Sequence, residues 1–289
     1  MSHSPQLLFQ QGDIEVVQSS INDIDIVNIK HPLCQASVSL YAGHVLSWQP
    51  TGHDEVFWLS DDTSYQQGKA IRGGIPLCWP WFGPKQDEVN HGFARTSQWQ
   101  LTSVKADNEG VELTLLFGGQ GLATTWPYQF EVEQKLYFGQ DFKQSLKIDN
   151  LGNEPFEHTG ALHSYFKVGE PSKVSVSKLN NVAFFDKLSD QIVTEPMVDC
   201  RGPKDRVYQT NQNLELIDNK LARIISLSTT GTSSWILWNP GEEVAQGMSD
   251  VHLGAEKEFV CLEAGFTEPL VLASRNSYTI SQHIEIRRL

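Results

Sequence analysis

Apolar and polar residues alternate along most of this chain. In CQASVSLY, Ala36, Val38 and Leu40 share one face, with Gln35, Ser37 and Ser39 on the other. In GVELTLLF the shared face is Val111, Leu113 and Leu115. FEVEQKLYF sets Phe130, Val132, Leu136 and Phe138 against Glu131, Glu133 and Lys135. Successive side chains of a strand point to opposite faces, so a period of two marks a half-buried β-strand. DFKQSLKID alternates likewise directly after Gly139-Gln140, and the two runs read as a hairpin. IEVVQ, DIVNIK, KVSVSKL, ARIISLS, SSWILW, FVCLEA and TISQHIEIRRL are further strands, separated by clusters of Gly, Pro, Asn and Asp. No stretch sustains a 3.6-residue apolar stripe, and Ala255 to Phe259 is the one short-helix candidate. Many short strands with turn punctuation predict an all-β fold, a large sandwich or barrel with few short helices. No linker, tandem repeat or charge block interrupts the 289 residues, so one domain over 1–289 is expected.

Composition narrows the partners. The formal net charge is −13. Such a surface repels nucleic-acid phosphates and anionic lipid headgroups, so no nucleic acid and no membrane are expected. A small anion in a local arginine pocket stays compatible with it. Cys34, Cys78, Cys200 and Cys261 form no C-x-x-C pair, and they read as buried free thiols of a reducing compartment, hence a cytoplasmic protein. The N-terminal residues show no secretory leader, and no apolar run approaches the roughly 18 residues of a membrane span. A monomer or weak dimer is expected.

Four segments depart from the strand-and-turn pattern. IRGGIPLCWPWFGP (71–84) carries Arg72, the adjacent pair Gly73 and Gly74 that permits positive φ, three prolines and two tryptophans. It reads either as a packed surface crossing or as an aromatic wall for a sugar. NHGFARTS (90–97) brings His91 and Arg95 close together. FEHTGALHSYFKV (156–168) places His158 and His163 five apart on a strand-like stretch, hence on opposite faces. Taken alone, His163 is a catalyst or a satisfied core histidine. In FVCLEAG (259–265) alternation puts Glu263 on the face of Phe259 and Cys261. A carboxylate buried there is either held by backbone amides or raised in pKa toward the range of a general base. The nine histidines show no zinc-ligand spacing, and no nucleophile elbow, phosphate loop or dinucleotide fingerprint is present.

Together these segments resemble the aldose 1-epimerase superfamily, closest to its hexose-6-phosphate mutarotase branch. IRGGIP, HGFAR, ALHSYF, DRVY (205–208) and CLEAG occur in the family's order across residues 71–265. The resemblance implies a galactose-mutarotase-like β-supersandwich. It implies an isomerase that exchanges the anomers of a sugar phosphate, with His163 as general acid and Glu263 as general base. Arg72, His91, Arg95 and Asp205 then match substrate-binding positions, and Asn90 receives no role. Ring opening and closure is proton transfer, so neither a metal nor another cofactor is expected. Two other readings remain: a mutarotase of free hexoses, which has less use for two arginines, and a non-catalytic sugar-phosphate binder, which does not need both His163 and Glu263.

Overall fold

The computed structural model describes residues 5–289. Every strand pairing is antiparallel, and the strands build three sheets. The first is a five-stranded meander of Gln6–Gln11, Ile14–Ile21, Ile24–His31, Cys34–Ser39 and His44–Pro50. The second has eight strands. Its centre is Arg223–Thr230, Ser277–Arg288, Phe142–Asn150, Gln129–Gly139 and Gly110–Gln120, with Gln100–Ala106 at one edge and Leu214–Asp218 then Val174–Val176 at the other. The third runs Gln191–Val193, Phe184–Asp186, Lys204–Tyr208, Ser234–Asn239, Phe259–Leu272, Phe156–Leu162 and Leu77–Cys78. Tyr165–Lys167 pairs with the same Phe259–Leu272 strand.

The alternation read from the sequence is what packs these sheets. Val16, Val27 and Trp48 of the first sheet, Leu113, Phe130, Leu136 and Phe142 of the second, and Leu162, Val260 and Leu262 of the third join one apolar core. All the strands expected from period two are present, including the 129–150 hairpin. Four went unseen. Gln6–Gln11 is an edge strand with mostly exposed residues, and His44–Pro50 is buried on both faces, so neither alternates cleanly. Gln100–Ala106 and Leu214–Asp218 are edge and near-edge strands of the second sheet. The expected helix at 255–259 is only a 3₁₀ turn at Ala255–Lys257, and the one α-helix among the described residues is Gly241–Gln246. All four cysteines are free and buried, as expected. No described helix is long and apolar enough to cross a membrane.

The Phe259–Leu272 strand is covered on both faces. Val260, Leu262, Ala264 and Phe266 enter the main core. Phe259 and Cys261 enter a second, smaller cluster with Trp58 and Tyr165. Glu263 continues that second face and is 1% exposed.

Candidate active site

Sheet register assembles the centre of the site. Leu162 lies opposite Ala264, and Tyr165 lies opposite Cys261. Between these pairs His163 meets Glu263, with Nε2 3.3 Å from Oε1. On the other flank Ile236 pairs with Glu263, while Trp238 pairs with both Cys261 and Asp205. Two neighbouring cross-strand rows therefore carry Ile236, Glu263 and His163, then Asp205, Trp238, Cys261 and Tyr165. Cross-strand neighbours on one face stand close enough to interact directly. The histidine and the glutamate, a hundred residues apart in sequence, are thus brought together by strand pairing.

The two form the floor of a cleft of about 320 Å³. All six residues singled out in the sequence line it: Arg72, His91, Arg95, His163, Asp205 and Glu263. The structure adds Lys187 and Asn90 among the polar groups, and Phe82, Ile236, Trp238, Val244 and Met248 among the apolar ones. The aromatic wall differs from the one expected. Trp79 packs against Phe93, Trp126 and Phe130, and Trp81 donates to the Val89 carbonyl at 2.8 Å. Both tryptophans serve the interior, and Phe82 with Trp238 supplies the aromatic surface of the cleft.

The loop that carries Arg72 is held by close backbone contacts. Gly73 and Gly74 have φ of +104° and +60°. A Cβ at Gly73 would overlap the Trp58 carbonyl, and one at Gly74 the Val45 carbonyl. Only glycine fits such an approach at positive φ. The Gly74 amide donates to Trp58 O at 2.6 Å, and His44 Nε2 bonds the Gly73 carbonyl at 2.7 Å. Arg72 then reaches inward. Its Nε and Nη2 contact Asp250 Oδ2 at 3.1 and 3.0 Å, and Nη1 donates to the Tyr165 hydroxyl at 2.9 Å. Tyr165 in turn stacks on His163, with ring centroids 4.8 Å apart and planes 12° from parallel.

His91 has φ +62°, and Gly92 after it has φ +71°. The sharp turn lets the His91 amide donate to Gly83 O at 2.9 Å while its Nδ1 accepts from Gly83 N at 3.1 Å. A neutral ring with Nδ1 so occupied carries its proton on Nε2. Burial, with the Arg95, Lys187 and Arg72 charges, lowers the His91 pKa to about 3, so the ring stays a neutral donor. Arg95 donates from Nη2 to the Asn90 carbonyl at 2.8 Å, and its buried Nε has no partner. Lys187 stands 3.1 Å from Asp205 Oδ2.

Burial sets the charge state of the floor. It pushes the Glu263 carboxyl well above the ordinary range, reinforced by Asp205 and opposed by Lys187 and Arg95. It pushes His163 well below the ordinary range, reinforced by His91, Arg95 and Arg72. Both shifts favour the uncharged partner, because a low-dielectric site penalises either ion alone. One proton between two basic atoms at 3.3 Å is the arrangement this favours. Such a pair can give a proton to one oxygen and take a proton from its neighbour.

Sequence reasoning missed Tyr165, Lys187, Trp238 and Asp250. Tyr165 was within reach, since it stands two residues beyond His163 on the same face. Lys187 follows a three-residue strand and Asp250 lies in a turn, where no periodicity marks a functional position.

Comparison with known proteins agrees with this geometry. The family model described as aldose 1-epimerase matches residues 25–285. A protein of Escherichia coli K12, provisionally named glucose-6-phosphate 1-epimerase, is 38% identical over 253 residues, covering 85% of this chain and 84% of its own. A Salmonella typhimurium protein with the same provisional name is 36% identical, covering 84% of this chain and 83% of its own. The crystal structure of YeaD from Salmonella typhimurium, provisionally described as a mutarotase, superposes with a TM-score of 0.90 at 32% identity. It covers 98% of this chain and 97% of that one. The sheets, the ordered motifs and these likenesses lead to one assignment: the chain belongs to the aldose 1-epimerase family.

Proposed function

We propose that this enzyme interconverts the α and β anomers of a hexose 6-phosphate, with glucose 6-phosphate the first substrate to test. The observation that carries the reading is the buried contact of His163 with Glu263 at 3.3 Å on the floor of a cleft edged by Arg95, Arg72 and Lys187. The names of the Escherichia coli and Salmonella relatives point to the same substrate.

The chemistry follows from the two groups. In a cyclic hemiacetal the hydroxyl oxygen and the ring oxygen are bonded to the same carbon, C1. Two protein atoms 3.3 Å apart can address these two oxygens together. With the proton they share moved onto His163, Glu263 takes the proton from the C1 hydroxyl while His163 delivers its own to the ring oxygen. The bond from C1 to the ring oxygen breaks, and the electron pair of the O–H bond forms the aldehyde. Rotation about C1–C2 presents the other carbonyl face. Closure returns both protons with the roles exchanged. Product and substrate have the same atoms and oxidation state, so two proton transfers complete the cycle. Each positioned group contributes about 10²–10⁴-fold.

The remaining residues hold the sugar. His91 Nε2–H is a neutral donor, Asp205 with Lys187 offers an acceptor and a donor to ring hydroxyls, and Trp238 with Phe82 faces the apolar side of the ring. The 6-phosphate falls to the arginines. Arg72 already shares its fork with Asp250 and Tyr165, whereas Arg95 is held only by a backbone carbonyl, so Arg95 is the stronger phosphate ligand of the two. The test is anomer exchange by NMR saturation transfer on glucose 6-phosphate, free glucose and free galactose. Exchange of the phosphorylated sugar well above its spontaneous rate, and faster than that of either free sugar, is the expected result. Faster exchange of a free sugar would overturn the phosphate reading, and exchange of none would overturn the activity.

A further inference from the structure

The proton-transfer mechanism leaves one buried group beside the His163–Glu263 pair without a task. Cys261 is fully buried near His163 and Glu263. It stands two residues before Glu263 on the same strand face and one row from His163. One donor atom from each of the three residues lies within 4.8 Å of the others. Two polar atoms of this group, Glu263 Oε2 and His163 Nδ1, are buried without a hydrogen-bond partner.

We propose that His163, Cys261 and Glu263 form a binding site for a thiophilic divalent cation, zinc(II) or cadmium(II), whose occupation switches off anomer exchange. The proposal rests on the acid–base reading of His163 and Glu263 for its effect on activity, and on the three-residue geometry alone for binding.

The donor set selects the ion. Imidazole, thiolate and carboxylate are the usual ligands of zinc, at about 2.0–2.3 Å, and three protein ligands leave a fourth position for water. In a tetrahedron with those bond lengths the donors stand roughly 3.3–3.8 Å apart. The His163–Glu263 separation of 3.3 Å already meets this, and Cys261, within 4.8 Å, has at most about 1.3 Å to close. Magnesium and calcium prefer oxygen-only shells and are not served by a thiol and an imidazole.

The balance of charge and protons favours the same ions. Binding forms one bond each to sulfur, nitrogen and oxygen. It releases the thiol proton and the single proton shared by His163 and Glu263, and displaces water from the aquo ion. A dication, a thiolate, a carboxylate and a neutral imidazole sum to zero, so the buried complex carries no net charge. Arg72, Arg95 and Lys187 oppose the approach of a cation and Asp205 assists it. An affinity in the micromolar range is therefore expected, with entry through the cleft that His163 and Glu263 line. The bound ion takes up both lone pairs that the reaction needs.

The experiment uses the full chain freed of metal by a chelator. Cobalt(II), a spectroscopic stand-in for zinc, should give a thiolate-to-cobalt charge-transfer band in the near ultraviolet in the wild type. Zinc at micromolar concentration should lower exchange of glucose 6-phosphate at least 10-fold, chelator should restore it, and magnesium should do nothing. Cys261→Ala should keep its basal exchange within about twofold, lose the cobalt band and need at least 10-fold more zinc. Cys34→Ala, on another sheet, should behave as wild type. If Cys261→Ala lowers the melting temperature too far for assay, Cys261→Ser keeps the size and removes the soft ligand. Absence of the thiolate band in the wild type, or equal zinc inhibition with and without the Cys261 sulfur, overturns the proposal. A protein that shows the cobalt band but no exchange on any sugar instead overturns the acid–base reading and leaves the metal site standing.

Discussion

His158 and His163 leave the same stretch of chain five residues apart and meet opposite surroundings. His158 lies on the core side, enclosed by Phe156, Phe266 and Tyr278. Its Nδ1 accepts a hydrogen bond from Trp79 Nε1 at 3.1 Å. Burial alone, with no charged neighbour contributing, lowers its pKa to about 4. His163 lies on the cleft side, with a carboxylate at 3.3 Å and cationic residues at the rim. Both rings are buried and both are held neutral. Burial of a histidine is therefore no sign of function. What separates the two is a second titratable group able to exchange a proton, and access from a cleft.

The two histidines should differ most in turnover. His163→Asn and Glu263→Gln should each lower kcat about 10²-fold or more with melting temperatures near wild type, measured by saturation transfer and thermal unfolding. The double variant should fall far short of the product, because each step uses both groups. His158→Gln should reverse the pattern: kcat within a few-fold of wild type, and a clear loss of stability. A large kcat defect in His158→Gln with an intact fold would remove the distinction drawn here.

The next test lies at the rim. Arg95→Ala should lower kcat/KM for glucose 6-phosphate by roughly 10- to 100-fold, the worth of one or two charge-assisted hydrogen bonds, and barely alter free glucose. Arg72→Ala should affect both sugars, since Arg72 also holds the Tyr165 hydroxyl beside His163. Arg95→Lys should recover part of the loss, because a point charge lacks the planar fork. Equal losses on both sugars in Arg95→Ala would assign that arginine to the fold or to hydroxyls.

Acid stability should depend on His158. Burial lowers both His44 and His158 to about 4 from 6.5. Between those values the unfolded chain binds protons that the folded chain refuses, so stability falls as the pH drops from 6.5 toward 4. Each histidine contributes a loss of roughly 3 kcal/mol over that window. Denaturant midpoints at pH 7 and pH 4.5 should show the decline in the wild type and a shallower one in His158→Phe. The smallest effect belongs to Asn90→Ala. Arg95 uses the Asn90 carbonyl, which any residue supplies, so kcat/KM should stay within about twofold.

Much of this was legible in the chain. The alternation of FVCLEA placed Cys261 and Glu263 on one face, and the structure agrees. The spacing of His158 and His163 put them on opposite faces, and they are. The six residues taken from the ordered motifs all line one cleft. The tryptophans of residues 71–84 misled, because a Trp in a Gly/Pro-rich loop reads the same whether it faces a ligand or a core. Lys187 and Asp250 were invisible, since turns carry no periodicity and their partners, Asp205 and Arg72, are distant in sequence. Long-range pairing of that kind is a property of strand order, which no local pattern encodes.

The strand that holds Glu263 has core residues at every even position from 260 to 266, and its other face carries Phe259 and Cys261 in the smaller apolar cluster and Glu263 at the cleft. It therefore behaves like a spatial reading frame. A conservative substitution at one position changes one contact. One inserted or deleted residue upstream of Glu263 within the strand exchanges the two faces, because a one-residue slip turns every side chain over. The carboxylate would be delivered into the apolar interior and a leucine or alanine into the cleft. In related chains length should thus vary freely in the loops around this strand and hardly at all inside it, whatever happens to the identity of its residues.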